Sequence, residues 1–67
     1  MDITLNNNPE VLPGASLSIK EILLIKKFTF PNLVVKINGL LIRKPEYEAA
    51  LVQEGDVVEI IHLISGG

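Results

Sequence analysis

The residues of this chain that could do chemistry are few. A single histidine, His62, cannot be gathered with others into a metal cluster or a histidine-based triad. Cysteine is absent, so there is no thiolate nucleophile, no thiolate metal site and no disulfide framework. Asp56 follows Gly55 and reads as a turn residue, Tyr47 reads as packing for a short helical turn, and His62 as a structural or rim residue of the last strand. What remains is the end of the chain, Gly66-Gly67 and its carboxylate. Glycine has no Cβ and accepts either sign of φ, so this carboxylate sits on a thin, unrestricted thread. With Gly at about 7% of residues, a chain ends in Gly-Gly by chance about 0.5% of the time, so the pair gains meaning only from what precedes it.

What precedes it must be one small domain. The chain has 67 residues, and a domain of that size buries only about 60% of the surface its unfolded chain exposes. Without cysteine, stability must come from an apolar core, and 48% of the residues are hydrophobic while only 4% are aromatic. An aliphatic core rich in Ile, Leu and Val favours strands. There is little room inside such a core for a buried catalytic pocket, which normally needs about 300 Å³ or more, and that weighs against an autonomous enzyme. The formal charge is -2, and the cations Lys20, Lys26, Lys27, Lys36, Arg43 and Lys44 are scattered. No nucleic-acid partner is expected from that pattern. No apolar run approaches the ~20 residues that span a bilayer, and Met1-Asp2-Ile3-Thr4 lacks the features of a secretory signal, so no membrane association is expected. With no disulfides to form, an intracellular, reducing compartment fits. The expected location is the cytoplasm, or a plastid stroma if organellar, and the chain alone is expected to be a monomer.

The elements can be read in order. Ile3 and Leu5 alternate with polar residues as in a half-buried strand. Asn6-Asn7-Asn8-Pro9 is turn chemistry, with Pro9 expected to end pairing, and Glu10-Val11-Leu12 is the returning strand. Ser18-Ile19-Lys20-Glu21 forms a capping box that opens a helix of about Ser18 to Lys27, with Ile19, Ile22 and Leu23 on its apolar stripe and Leu24 and Ile25 widening it. Leu33 to Ile37 is a strand, Asn38-Gly39 a type I′ hairpin turn, and Leu40 to Ile42 the return. Pro45-Glu46-Tyr47-Glu48 is a helical turn with Pro at its start. Gly55-Asp56 turns into the longest strand, Val57 to Ile64. Strand, strand, helix, strand, strand, strand is an α+β order, not the alternation of a parallel α/β fold. Residues 1–64 are expected to form the domain and residues 65–67 a flexible reactive tail.

The final strand can present either face. In one register Val58 and Ile60 face the core with Ile37 and Leu41, and Val57, Glu59, Ile61 and Leu63 face away. The opposite register puts His62 outside and Ile61 and Leu63 in the core. An outward Ile61 and Leu63 would make an apolar patch beside the tail, the kind of surface that marks a partner site.

Ile37-Asn38-Gly39, Pro45-Glu46-x-Glu48, Glu54-Gly55-Asp56-Val57-Val58-Glu59-Ile60 and Gly66-Gly67 together resemble the ThiS-type sulfur carriers of the ThiS/MoaD family. Ser18-Ile19-Lys20-Glu21-Ile22-Leu23 is similar to the family's usual helix start, and the resemblance covers essentially the whole chain. Arg43-Lys44 before Pro45 and the first hairpin depart from the usual pattern. The MoaD branch shares fold and tail but is usually longer, with aromatic and proline residues where this chain has His62-Leu63-Ile64-Ser65.

The resemblance implies a ubiquitin-like β-grasp fold, a mixed sheet of about five strands packed on one helix, with Val58 and Ile60 inward. It implies a non-enzymatic carrier of sulfur for thiamine thiazole synthesis. A ThiF-type partner would use ATP to adenylate Gly67, a sulfur donor protein would convert the adenylate to a thiocarboxylate, and a ThiG-type thiazole synthase would receive the sulfur. No cofactor and no metal would be bound by the carrier. Gly66 and Gly67 would be the reactive end, with Ile61, Leu63 and Ser65 touching partners. Molybdopterin synthesis, tRNA thiolation and protein modification are the other tasks this family architecture admits.

Overall fold

The computed structural model describes residues 1–63 of the chain. Seven strands and one helix follow in order: β1 Asp2–Leu5, β2 Asn8–Val11, β3 Ser16–Ser18, α1 Ile19–Lys26, β4 Leu33–Ile37, β5 Leu40–Ile42, β6 Leu51–Gln53 and β7 Val57–His62. A 3-10 turn, Lys44–Glu46, with Pro45 at its start, separates β5 from β6. Five strands form one sheet in the order β2-β1-β7-β4-β5, and β3 pairs with β6 in a second, two-stranded sheet. Strand β7 therefore lies in the middle, parallel to β1 and antiparallel to β4. This is the α+β, β-grasp arrangement, five strands of mixed direction on one helix.

Local chemistry accounts for each turn. Asn6 and Asn7 take φ of 51° and 68°, which closes the two-residue hairpin between β1 and β2. Asn38 and Gly39, at 51° and 83°, do the same between β4 and β5. At the helix start Ser18 Oγ accepts from Glu21 N–H at 3.1 Å, and Glu21 Oε1 accepts from Ser18 N–H at 3.0 Å. These two bonds complete the capping box. Lys27 ends the helix in the left-handed region.

The core lies between helix and sheet. Ile19 and Ile22 of α1 are fully buried against Ile3, Leu5, Val35, Val58 and Ile60 of the sheet, and Leu12 and Val52 close the ends. Edge strand β2 is also tied to the helix by Lys26 Nζ and Glu10 Oε2, 3.0 Å apart.

The structure departs from the sequence reading in four places. Pro9 does not end pairing; it sits inside β2 opposite Thr4. An edge strand tolerates proline because half of its backbone groups face no neighbour. Leu41 is half exposed, not core, because the two-residue turn pairs Ile37 with Leu40 and so sets Leu41 beside Lys36 on the outer face. Leu24 and Ile25 are exposed and add nothing to the buried stripe of α1. The pairing of β3 with β6 has no counterpart in the sequence reading. The last strand is assigned through His62, and Ile64 lies outside the described residues.

Two stability measurements check this account. Ser18→Ala should cost about 1 kcal/mol in urea unfolding, the usual worth of an N-cap. Ile60→Ala should cost about 2–5 kcal/mol as a core truncation, while Ile61→Ser next to it should stay within about 0.5 kcal/mol. Equal losses at positions 60 and 61 would contradict the register.

Candidate functional site

Strand β7, central in the sheet and the element that precedes Gly66 and Gly67 in the sequence, carries the candidate site. Its faces are sharply divided. Val58 is fully buried and Ile60 is 5% exposed, whereas Ile61 is 48% and Leu63 52% exposed. The structure thus adopts the register with Val58 and Ile60 inward. Ile61 lies opposite Val34 of β4, and the neighbouring row on the same outer face is Glu59, Lys36 and Leu41. Ile61, Val34, Leu41 and Leu63 give the outer side of the sheet an apolar surface near the end of β7. Ser65, Gly66 and Gly67 lie outside the described residues.

This surface runs into a groove of about 520 Å³ around the β4–β5 end of the sheet. Leu23, Phe28, Phe30 and Tyr47 contribute apolar lining, Arg43 and Lys44 contribute charge, and Leu63, Val34 and Leu41 belong to both groove and outer surface. Burial raises the Tyr47 hydroxyl above its ordinary pKa. Lys20, 2.7 Å from Glu48, lowers that carboxyl by hydrogen bonding and charge. Tyr47 and Glu48 both lie at the turn after β5, and Tyr47 shares the groove with Leu63.

Two asparagines, read from the sequence as turn residues only, hold β7 in place. Asn38 Oδ1 accepts from Val57 N–H at 2.8 Å and its Nδ2 donates to Asp56 Oδ1 at 3.1 Å. The other oxygen of Asp56 accepts from Gln53 N–H at 2.9 Å, so Asp56 fixes its own turn and joins it to the β4–β5 hairpin. Asn6 grips Ile60 by both backbone groups, with distances of 2.8 and 3.0 Å. Their positive φ was readable from turn chemistry; the grip on a distant strand depends on the sheet order, for which no local signal exists.

His62 is exposed, and its ring stacks on Phe30 with centroids 4.1 Å apart. Among the described residues no group of His, Cys, Asp or Glu could hold a metal ion. No helix among them is long and apolar enough to cross a membrane.

Comparison with known proteins agrees with this geometry. The ThiS family model matches residues 3–67. The crystal structure of a thiamine biosynthesis protein (ThiS) from Geobacter metallireducens superposes with a TM-score of 0.87 at 32% identity, covering 100% of both chains. An NMR solution structure of a thiamine biosynthesis protein from the same organism gives 0.80 at 32% identity, over 100% of this chain and 88% of that one. No curated protein matches the chain. A family match that runs from the first strand through both terminal glycines, joined to a superposition of the whole fold, places the chain in the ThiS family.

Proposed function

We propose that this chain is a sulfur carrier for thiamine biosynthesis, a non-enzymatic protein whose Gly67 carboxylate is the working group. The observation that carries this reading is the family match over residues 3–67, which includes Gly66 and Gly67. The full-length likeness to a thiamine biosynthesis protein supports the pathway.

The chemistry proceeds in a partner's active site. A ThiF-type enzyme binds ATP, and the Gly67 carboxylate attacks the α-phosphorus, releasing pyrophosphate and forming an acyl-adenylate. A sulfur donor protein, as a persulfide, then attacks the acyl carbon through its outer sulfur and displaces AMP to give an acyl disulfide. A thiol cleaves that S–S bond, forming a disulfide with the donor's inner sulfur and leaving a terminal thiocarboxylate, which a ThiG-type thiazole synthase consumes. In-line attack at phosphorus needs the carboxylate brought deep into the partner at a defined angle. Two residues without Cβ keep the thread thin enough to enter. Stabilisation of the charge that develops at phosphorus falls to the partner. The carrier's own contribution is a rigid body, a free end, and a surface that docks both partners close to that end.

The exposed Ile61 and Leu63 are that surface, and Ser65, which follows them in the sequence, is assigned to partner contact with them. A short tail obliges both partners to use adjoining ground, so one patch serves two docking events.

Co-expression with a cognate adenylating enzyme and a sulfur source should add the mass of one oxygen-to-sulfur exchange at the C-terminus, read by intact mass spectrometry. An unchanged mass, with an enzyme shown to be active on another carrier, would refute the sulfur-carrier reading. Deleting Gly67, or extending the chain beyond it, should abolish adenylation and leave stability within about 0.5 kcal/mol, because a terminal tail contributes little packing. The double variant Ile61→Ser, Leu63→Ser should stay folded and lose affinity for both enzymes together. Normal binding to both would move recognition to another face.

A further inference from the structure

Asn6 stands where β1 stops. Backbone pairing of β1 with β7 joins Thr4 to Val57 and Leu5 to Val58. Its final bond is Asn6 N–H donating to the Val58 carbonyl at 3.0 Å. Asn6 and Asn7 then take positive φ and swing the chain away into β2, so β1 offers no further backbone to Ile60. The Asn6 side chain takes over. Its Oδ1 accepts from Ile60 N–H at 2.8 Å and its Nδ2 donates to the Ile60 carbonyl at 3.0 Å. A primary amide carries the acceptor and donor of a peptide group, and here it supplies one more rung of the parallel ladder.

Two other segments converge just beyond that rung. Leu63 N–H donates to the Asn32 carbonyl at 2.9 Å on the β4 side. His62 stacks on Phe30 at a centroid distance of 4.1 Å, with the ring planes 15° apart. Residues 60–63 are therefore held from three directions immediately before the tail.

We propose that Asn6 is a positioning residue for the carrier: by gripping both polar groups of Ile60 it fixes the course of the chain through residues 60–63, the stretch that presents Ile61 and Leu63 and leads in sequence to Gly67. The proposal rests on the carrier reading above. Ile61 and Leu63 must reach the partner's surface while the glycines enter its active site, so the patch and the line of exit must keep one mutual orientation. Loss of the Asn6 rung leaves the β1 side of Ile60 unpaired and lets the end of the strand swivel. The fraction of molecules in the competent orientation then falls, and apparent affinity falls with it.

The test compares Asn6→Ala and Asn6→Asp with Val52→Ala, a truncation at a fully buried residue of the separate β3–β6 sheet. Adenylation kinetics with the partner enzyme are measured where circular dichroism shows each variant folded, and amide hydrogen exchange is followed in the full free chain. Asn6→Ala should raise KM about threefold or more and hold kcat within about twofold, because only the competent fraction changes. Asn6→Asp, which keeps the acceptor for Ile60 N–H and loses the donor to its carbonyl, should fall between wild type and Asn6→Ala. Val52→Ala should leave KM unchanged. Exchange in the Asn6 variants should accelerate at residues 60–63 and not across the whole sheet. A wild-type KM in both folded Asn6 variants, or an equal rise in Val52→Ala, overturns the proposal. If Asn6→Ala does not fold, Asn6→Asp decides by the same criteria. If the wild-type chain is not adenylated at all, the carrier reading fails separately. Exchange then decides the Asn6 assignment: acceleration confined to residues 60–63 supports it, and global acceleration reduces Asn6 to a stabilising role.

Discussion

The parallel pairing of β1 with β7 is the interaction on which the rest of this fold depends. It sets a strand from the end of the chain between two hairpins made earlier, β1–β2 on one side and β4–β5 on the other. Without β7 those hairpins share no edge, and Ile19 and Ile22 of the helix lack Val58 and Ile60 beneath them. A central strand is also the most firmly held place in a sheet from which to extend a chain end. The body of the protein holds that strand on both sides, through β1 and β4.

A parallel pair has no hairpin to set its register, and β1 supplies only a short run of backbone to β7. Side chains make up the difference. Asn38 and Asp56 lock the start of β7 to the neighbouring turn, and Asn6 grips its middle. Both asparagines already occupy the left-handed region that their turns require. One residue type thus performs two tasks, turning the chain and pairing with the strand beside the turn. Gly could make the same turns and would leave Ile60 and Val57 without these partners.

Much of this was legible from residue types. The capping box at Ser18 and Glu21, the Asn38-Gly39 turn and the alternation along β4 and β7 all act over a few residues, and each appears in the structure where the pattern predicts it. The inward choice of Val58 and Ile60 came from family resemblance, since alternation alone allows both registers. Features that depend on distant partners were not legible. The β3–β6 pair is short and gains its strand character only from mutual contact, and Leu41 is turned outward by hairpin register rather than by its own hydrophobicity. Ile61 and Leu63 were legible as an outward pair once the register was chosen; their neighbours Val34 and Leu41 became visible only with the strand order.

The central place of β7 also bears on how the protein is made. Ribosomes add about 5–20 residues per second, so β1 and β2 are synthesised some seconds, and β4 and β5 about a second or more, before the strand that unites them is complete. During that interval the nascent chain has two hairpins with apolar faces and open edges, a state in which unpaired strands invite misassociation. The contacts that end it are among the most distant in the sequence, as in the pairing of Leu5 with Val58. A chain that stops before Val57 lacks the strand that joins β1 to β4. A molecule whose five-stranded sheet is closed has therefore been translated at least through its last strand, Val57–His62, so the native sheet itself certifies how far synthesis has gone.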